Sequence, residues 1–296
     1  MSRRTSPSTR RPYGVTRVLQ VWELPRSTFY ARRERQAHPA TARRGRPPRV
    51  DDATLLAHIH AVIAESPFHG EGHRKVCARL RTLKQVRTSL RRVLRVMREA
   101  DLLSPARQPE PVVERPHEGT LVTDQPNLMW GTDATATVTL AEGPATIFAA
   151  IDHCTAECVG IHAAKHGDRF EALEPLRQGV RDHFGTLAPG VAAGLALRHD
   201  HGSVYLSADF QAEVTFLGMT SSPAFVRQPE GNGCIERFFR TLKEQLLWVR
   251  HFSTVEELRH ALLAFKETYN REWLIARLGY RSPAQVRQAF AVRPAA

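Results

Sequence analysis

No stretch of the 296-residue chain approaches 18 consecutive apolar residues, so no helix is expected to cross a bilayer. The opening MSRRTSPSTRRP lacks the apolar segment of a secretory signal. Cysteine is scarce. Cys77, Cys154, Cys158 and Cys234 are scattered rather than spaced as a disulfide framework, and a reducing cytosol is the expected compartment. There is no phosphate-cradling glycine loop and no dinucleotide fingerprint, so nucleotide hydrolysis is not implied. No serine or cysteine sits in a recognisable nucleophile context.

Acidic residues are short in one part of the chain only. The net charge is +12, yet residues 1–107 hold 24 Lys/Arg against 8 Asp/Glu, a balance of +16. Residues 108–296 hold 18 against 22, a balance of −4. A basic arm joined to a mildly acidic body points to a nucleic-acid-binding segment attached to a domain with another task.

The arm carries helix patterning. Val15, Val18, Leu19 and Trp22 follow the helical period, Glu23-Leu24-Pro25 breaks it, and Ser27 offers a cap for a basic helix bearing Arg32, Arg33 and Arg35. Helix, turn and basic helix is the outline of a helix-turn-helix. Ala37–Arg49 reads as a linker, stopped by prolines and rich in arginine. Three helices are expected over 52–65, 73–83 and 89–100, the last with Thr88 as its cap. On that last helix Leu90, Val93, Leu94 and Met97 form the buried stripe, and Arg91, Arg92, Arg95 and Arg98 are expected to point outward toward phosphates. Ser104–Asn127, with five prolines, reads as an interdomain linker.

The body begins with a strand over Leu128–Leu140 that holds Asp133 in its middle. A carboxylate there is costly to bury unpaired, so a metal is a reason for its presence. Strands near 145–151 and 157–163 complete a meander, and a helix is expected over 169–184. A short strand over 195–198 ends at Asp200, a helix follows near 207–217, and a last strand lies near 219–222. The stretch VRQPEGNGCIERFFRTLKEQL then reads as a loop feeding a helix, with Asn232 as cap and Ile235, Phe239, Leu242 and Leu246 as the apolar face. Beside that face Glu236, Arg240 and Lys243 recur at four and three. Alone, such a stripe is an ordinary surface ion-pair pattern. With Asp133 and Asp200 it becomes a set of three carboxylates. Hard divalent ions prefer such oxygen donors, and two of them can drive an in-line phosphodiester displacement. Arg240 and Lys243 would then hold the DNA backbone.

His153, Cys154, Cys158, His162 and His166 superficially suggest zinc, but they run along a turn and one strand, where residues four apart are about 13 Å apart. Asp152 is a further carboxylate candidate, although turn aspartates of this kind commonly cap locally. Trp248 and Trp273 are expected in the core rather than stacked on bases.

The residues assembled so far resemble the DDE transposases of insertion sequences, of the long-frame type made by IS-three-like elements. Trp130-Gly131-Thr132-Asp133 is similar to their first-aspartate strand, and His199 through Tyr205 to their second-aspartate motif. Asp200 and Glu236 are separated by 35 residues, the family's characteristic interval, and Lys243 matches a basic position seven beyond the glutamate. His73–Val76 and Arg95–Leu102 resemble the family's helix-turn-helix block, and Tyr269-Asn270 with Leu278–Pro283 its closing motif. Two departures stand out. Gly231-Asn232-Gly233 replaces the common Asp-Asn dipeptide, and His199 replaces a serine before Asp200.

The resemblance implies an α/β fold. An RNase H-like mixed sheet flanked by helices would follow all-α DNA-binding segments. The expected divisions are 1–49 for the basic helix-turn-helix and linker, and 50–104 for a helical DNA-binding domain. A linker over 105–127, a catalytic core over 128–250 and a helical extension over 251–296 complete the chain. Implied with it are metal-dependent cleavage and transfer of DNA strands at element ends, two Mg²⁺ ions replaceable by Mn²⁺, and Asp133, Asp200 and Glu236 as catalytic ligands. A homo-oligomer on DNA, possible fusion to a short upstream-frame product and a cytoplasmic, nucleoid-associated location are also implied. The rivals are a DNA-binding regulator with an inactive core and an RNase H-like nuclease. The glycine-rich lead-in Pro229–Gly233 is expected to be the least ordered part of the site before metal and DNA bind.

Overall fold

A computed structural model describes residues 4–37, 49–104, 121–223 and 232–292. The arginine-rich linker, most of the proline-rich linker and the lead-in up to residue 231 lie outside the described residues, and so does the expectation about their order. The chain divides into two units, Met1–Asp51 and Asp52–Ala296. The first contains α1 (Val15–Val21) and α2 (Arg26–Ala37). Leu19 is buried in α1, and no side chain of α2 is. Ser27 lies inside the first turn of α2 rather than at its cap, and Arg32 and Arg33 are exposed.

The second unit opens with α3 (Asp52–Ala64), α4 (His73–Leu83) and α5 (Leu90–Glu99). Leu55, Ile59, Val62, Val76, Leu80, Val93, Val96 and Met97 bury their side chains in this bundle. The α5 cap is Ser89, not Thr88, and its hydroxyl accepts the Arg92 amide. The arginine face is also not uniformly outward. Arg92 and Arg95 share the Asp52 carboxylate, each at 2.6 Å, and Arg95 reaches Glu99 at 2.8 Å. These pairs hold the Asp52 carboxyl below its ordinary range, through hydrogen bonds from Arg95 and then Arg92. Arg91 and Arg98 are the two exposed cations of α5.

The sheet comprises β1 (Met129–Thr139), β2 (Gly143–Asp152), β3 (Cys158–Ala164), β4 (Ala196–His199) and β5 (Thr220–Pro223), in the order β3-β2-β1-β4-β5. The meander β1-β2-β3 is antiparallel, whereas β4 and β5 add in parallel. Alternation along β1 and β2 sends Trp130, Phe148 and Ala150 to one face, where they meet α6 (Glu174–Phe184) and α7 (Ala208–Phe216). Ile147, Ala149 and Ile151 face the other way, onto α8 (Gly233–Leu242) and α9 (Val255–Glu272). The result is a three-layer helix-sheet-helix sandwich, closed by α10 (Pro283–Ala291).

The helix α9 is part of this core. The Asn270 amide group accepts from Cys158 N and donates to Cys158 O, both at 2.9 Å, at the bulge where β3 shifts register. Arg259 caps Ala163 O at 2.7 Å. The three-helix bundle docks on the same layer: Phe68 joins the α8–α9 core, its ring set edge-on to Trp273 with centroids 4.8 Å apart, and His69 and Gln245 exchange two hydrogen bonds. Trp273 thus packs as expected. The α6 layer lies close on the sheet because Gly160 has no side chain. A Cβ there would stand 1.9 Å from the Pro175 carbonyl oxygen, a backbone atom that cannot swing away. Gly160→Ala is therefore expected to lower stability by about 3 kcal/mol or more. A urea titration showing a change below about 1 kcal/mol would contradict this packing.

Candidate active site

Three elements bring the carboxylates together. Gly131 of β1 pairs in parallel with Arg198 of β4. Two residues further along each chain stand Asp133 and Asp200, so the register sets them level on neighbouring strand lines, which run about 4.8 Å apart. Both belong to the sheet face that α8 covers, since Asp133 is partnered with Ala149 of that face. Glu236 lies in the first turn of α8, where a carboxylate complements the helix dipole. Glu236 and Asp200 are exposed and Asp133 is partly buried.

Each position is supported by its neighbours. Asp133 Oδ1 accepts the Ala134 amide and Asp200 Oδ1 the Gly202 amide, both at 2.8 Å. His199, the departure from the family's serine, is fully buried. Its Nδ1 lies 2.6 Å from the Asp200 carbonyl, which only accepts, so Nδ1 carries the proton and Nε2 takes the Ser221 hydroxyl at 2.8 Å. Burial lowers the His199 pKa and keeps the ring neutral. The ring stacks on Tyr205 at 5.7 Å, and Tyr205 meets Phe210 edge-on. His199 thus ties the Asp200 backbone to β5 and to α7.

Asn232 holds the start of α8, but not as the expected side-chain cap. It makes no cap bond; its amide nitrogen donates to Thr132 O at 3.2 Å, reaching across to β1. The approach requires Gly131, where a Cβ would meet Asn232 Oδ1 at 2.6 Å and His153 Nε2 at 2.7 Å. The Glu236 helix is therefore anchored on the strand that carries Asp133, one residue away from it.

A groove of about 380 Å³ opens along this junction, lined by Asp133, Ala134, Thr135, Glu236, Phe239, Arg240, Lys243 and Trp248. The Asp133 carboxyl is pushed up to about 6, first by burial and then by the nearby charges of Asp200 and Glu236, against which the Ala134 amide and Lys243 work. A carboxylate whose proton affinity is raised by two neighbouring carboxylates belongs to a donor set suited to a hard divalent cation. Among the described residues, no three His, Cys, Asp or Glu side chains stand close enough to hold a metal as they are. The carboxylates sense one another without meeting at ligand spacing.

Other sequence candidates have structural tasks. Asp152 is fully buried and accepts from the Thr155 amide and hydroxyl at 2.7 and 2.8 Å and from Asn127 N at 2.8 Å. His153 Nδ1 bonds Leu121 O, His162 pairs with Glu171 at 2.6 Å, and all four cysteines are free and buried. Trp248 corrects the sequence expectation. It is 70% exposed on the groove, not in the core.

Known proteins share this fold and parts of this sequence. The family model of the integrase core domain matches residues 217–283, and that of an HTH-like domain matches 49–110. Transposase InsD of the IS2 insertion elements of Escherichia coli is 27% identical over 280 residues, covering 93% of this chain and 91% of the relative. A 48.2 kDa protein of insertion element IS2A from the same organism is 27% identical over 285 residues; the match covers 95% of this chain and 66% of that protein. A chain of the simian T-cell lymphotropic virus intasome superposes with a TM-score of 0.50 at 19% identity, over 83% of this chain and 77% of that one. The HTLV-2 integrase catalytic core solved with magnesium gives 0.41 at 17% identity, over 55% and 97%. The fold and the matched family models describe an integrase core domain that follows an HTH-like domain. In sequence the chain is similar to the insertion-element transposases of the IS2 group.

The Asp133 shift has a consequence for stability. Its carboxyl binds a proton more tightly folded than unfolded, so between pH 3.8 and about 6 the folded state holds more protons and stability falls as pH rises. Above about pH 6 the full cost applies, on the order of 3 kcal/mol. In metal-free buffer Asp133→Asn is expected to unfold at higher temperature than wild type at pH 8, the gap closing below pH 4. A variant less stable than wild type at pH 8 would contradict the buried, repelled carboxylate.

Proposed function

We propose that Asp133, Asp200 and Glu236 are the metal-binding carboxylates of a DDE-type polynucleotidyl transferase that cuts and joins DNA strands at the ends of an insertion element. The observation that carries this reading is the electrostatic coupling of Asp133 to Asp200 and Glu236, beside a groove lined by Asp133, Glu236, Arg240 and Lys243. Asp133 and Asp200 rest on the sheet, and Glu236 rides on α8. Two Mg²⁺ ions, with Mn²⁺ as a substitute, suit this donor set. When bound they would lower the pKa of a water or DNA 3′-hydroxyl and neutralise the leaving oxygen.

The chain's own residues do the rest. The position of Glu236 relative to the two aspartates depends on the Asn232–Thr132 hydrogen bond at the start of α8. His199 fixes the backbone at Asp200, and so fixes the direction of that carboxylate. Arg240 and Lys243, one and two turns along from Glu236, hold phosphodiester oxygens beside the carboxylates. No covalent protein–DNA intermediate is part of this chemistry.

DNA is the partner throughout. The helices around Arg32 and Arg33, and Arg91 and Arg98 of α5, supply the cations for binding element ends. Arg92 and Arg95 are shared with Asp52 and contribute to phosphates only as that pair loosens. A homo-oligomer holding two ends, and fusion with an upstream short-frame product, belong to the same reading. So does action on cytoplasmic, nucleoid-associated DNA. Among the described residues no helix is long and apolar enough to cross a membrane.

A nicking and strand-transfer assay tests the assignment, on supercoiled plasmid carrying candidate inverted repeats taken from the DNA on either side of the gene. Wild type with Mg²⁺ or Mn²⁺ is expected to yield nicked and joined products, and Glu236→Gln to lose at least 100-fold of that activity while still protecting the repeats from nuclease. Equal products from both proteins would remove Glu236 from the chemistry. Products without protection of the repeats would favour a general nuclease.

A further inference from the structure

The helix α8 does not end as an α-helix. After Leu242 it widens into a π-turn over Lys243–Leu247, closed by Trp248 N on Lys243 O at 2.9 Å. A π-turn takes up one extra residue, and such insertions recur at functional sites. In an unbroken α-helix the stripe Glu236, Arg240, Lys243 would continue to position 247. The extra residue moves Leu247 toward the core, which it joins at the edge, and hands its place on the stripe to Trp248. The indole therefore lies in line with the proposed glutamate ligand and its two cations, on the wall of the same groove.

Its exposure is unusual for its chemistry. Trp130 is completely buried and Trp273 packs against the core, whereas 70% of Trp248 faces solvent. Burying an indole is among the largest hydrophobic gains a side chain offers, and here it is forgone. Among the described residues its ring stacks on no other ring. An exposed aromatic beside cations, in a groove, is the surface that takes a nucleobase, because every base presents a π-face while its phosphate meets the cations. Within a duplex both faces of a base are covered by its neighbours, so the base received is one at a frayed or extruded position.

We infer that Trp248 is a base-stacking residue that holds an unpaired nucleobase next to the phosphodiester at the carboxylates. This rests on the proposal that the groove carries a DNA strand. Stacking is indifferent to base identity, so Trp248 positions the strand end without reading sequence.

The test uses a forked DNA duplex of mixed sequence with 2-aminopurine in the unpaired arm beside the junction, bound in Ca²⁺ to the full chain. Wild type is expected to quench the 2-aminopurine. Trp248→Ala, with unchanged thermal unfolding, is expected to bind about 5- to 100-fold more weakly and to lose the quenching. Trp248→Phe is expected to restore most of both. Glu236→Gln is expected to quench as wild type does while cutting nothing in Mg²⁺, which separates stacking from chemistry. Equal quenching and affinity in wild type and Trp248→Ala would overturn the stacking role and leave the carboxylate assignment standing. A Trp248→Ala variant changed in self-association alone would overturn it in favour of a contact between copies of the chain. Failure of the wild type to bind the fork would overturn both readings.

Discussion

The parallel pairing of β1 with β4 governs this molecule. One register, Gly131 opposite Arg198, puts Asp133 and Asp200 level on the face that α8 covers. A slip of one residue would send either aspartate to the α6–α7 side, into a core built from Trp130, Phe148 and Leu197. The register is held from both faces. Trp130 is locked under α6, and Gly131 admits Asn232 at the start of α8. The packing that stabilises the sheet is thus also what aims the carboxylates.

Given that frame, the site is built from unequal parts. Asp133 belongs to the long central strand and is set in low dielectric, where burial and two neighbouring carboxylates raise its pKa. Asp200 is held through its own backbone by His199, a neutral histidine buried against Tyr205. Glu236 is exposed on a helix whose preceding residue, Asn232, is tied to β1 by a single side-chain hydrogen bond. On the proposed reading, stability and function pull against each other at Asp133: the burial and repulsion that disfavour its charged form in the metal-free protein would favour a divalent cation. The cationic side of the groove, and the indole that the π-turn brings into line with it, complete the surface proposed for a DNA strand.

Much of this was legible in the sequence because it rests on periodicity. The Thr- and Val-rich strand around Asp133, the apolar face of α8 and the Glu236–Arg240–Lys243 stripe are local patterns, and their elements appear within a few residues of the expected bounds. What was not legible depends on contacts between distant segments. Asn232 looks like a cap from its neighbours, yet its side chain serves β1, 100 residues away. Arg92 and Arg95 look like free phosphate ligands, but Asp52 at the start of α3 engages both. Nothing local tells that Asn270 on α9 repairs the bulge at Cys158, which makes the expected C-terminal extension a layer of the core. Trp248 reads as a core residue in the sequence because large apolar side chains gain most from burial. A helical wheel assumes a regular helix and cannot show the π-turn that rotates it outward.

The most direct test of the central claim maps where a divalent ion sits. Fe²⁺ substituted for Mg²⁺ in the DNA-bound protein, with ascorbate and peroxide, cleaves the backbone next to its own ligands. Three cuts are expected, near residues 133, 200 and 236, all suppressed by excess Mg²⁺ and lost together in Asp133→Asn. Scattered cleavage, or cuts at the His153–His166 segment without those at the three carboxylates, would contradict it.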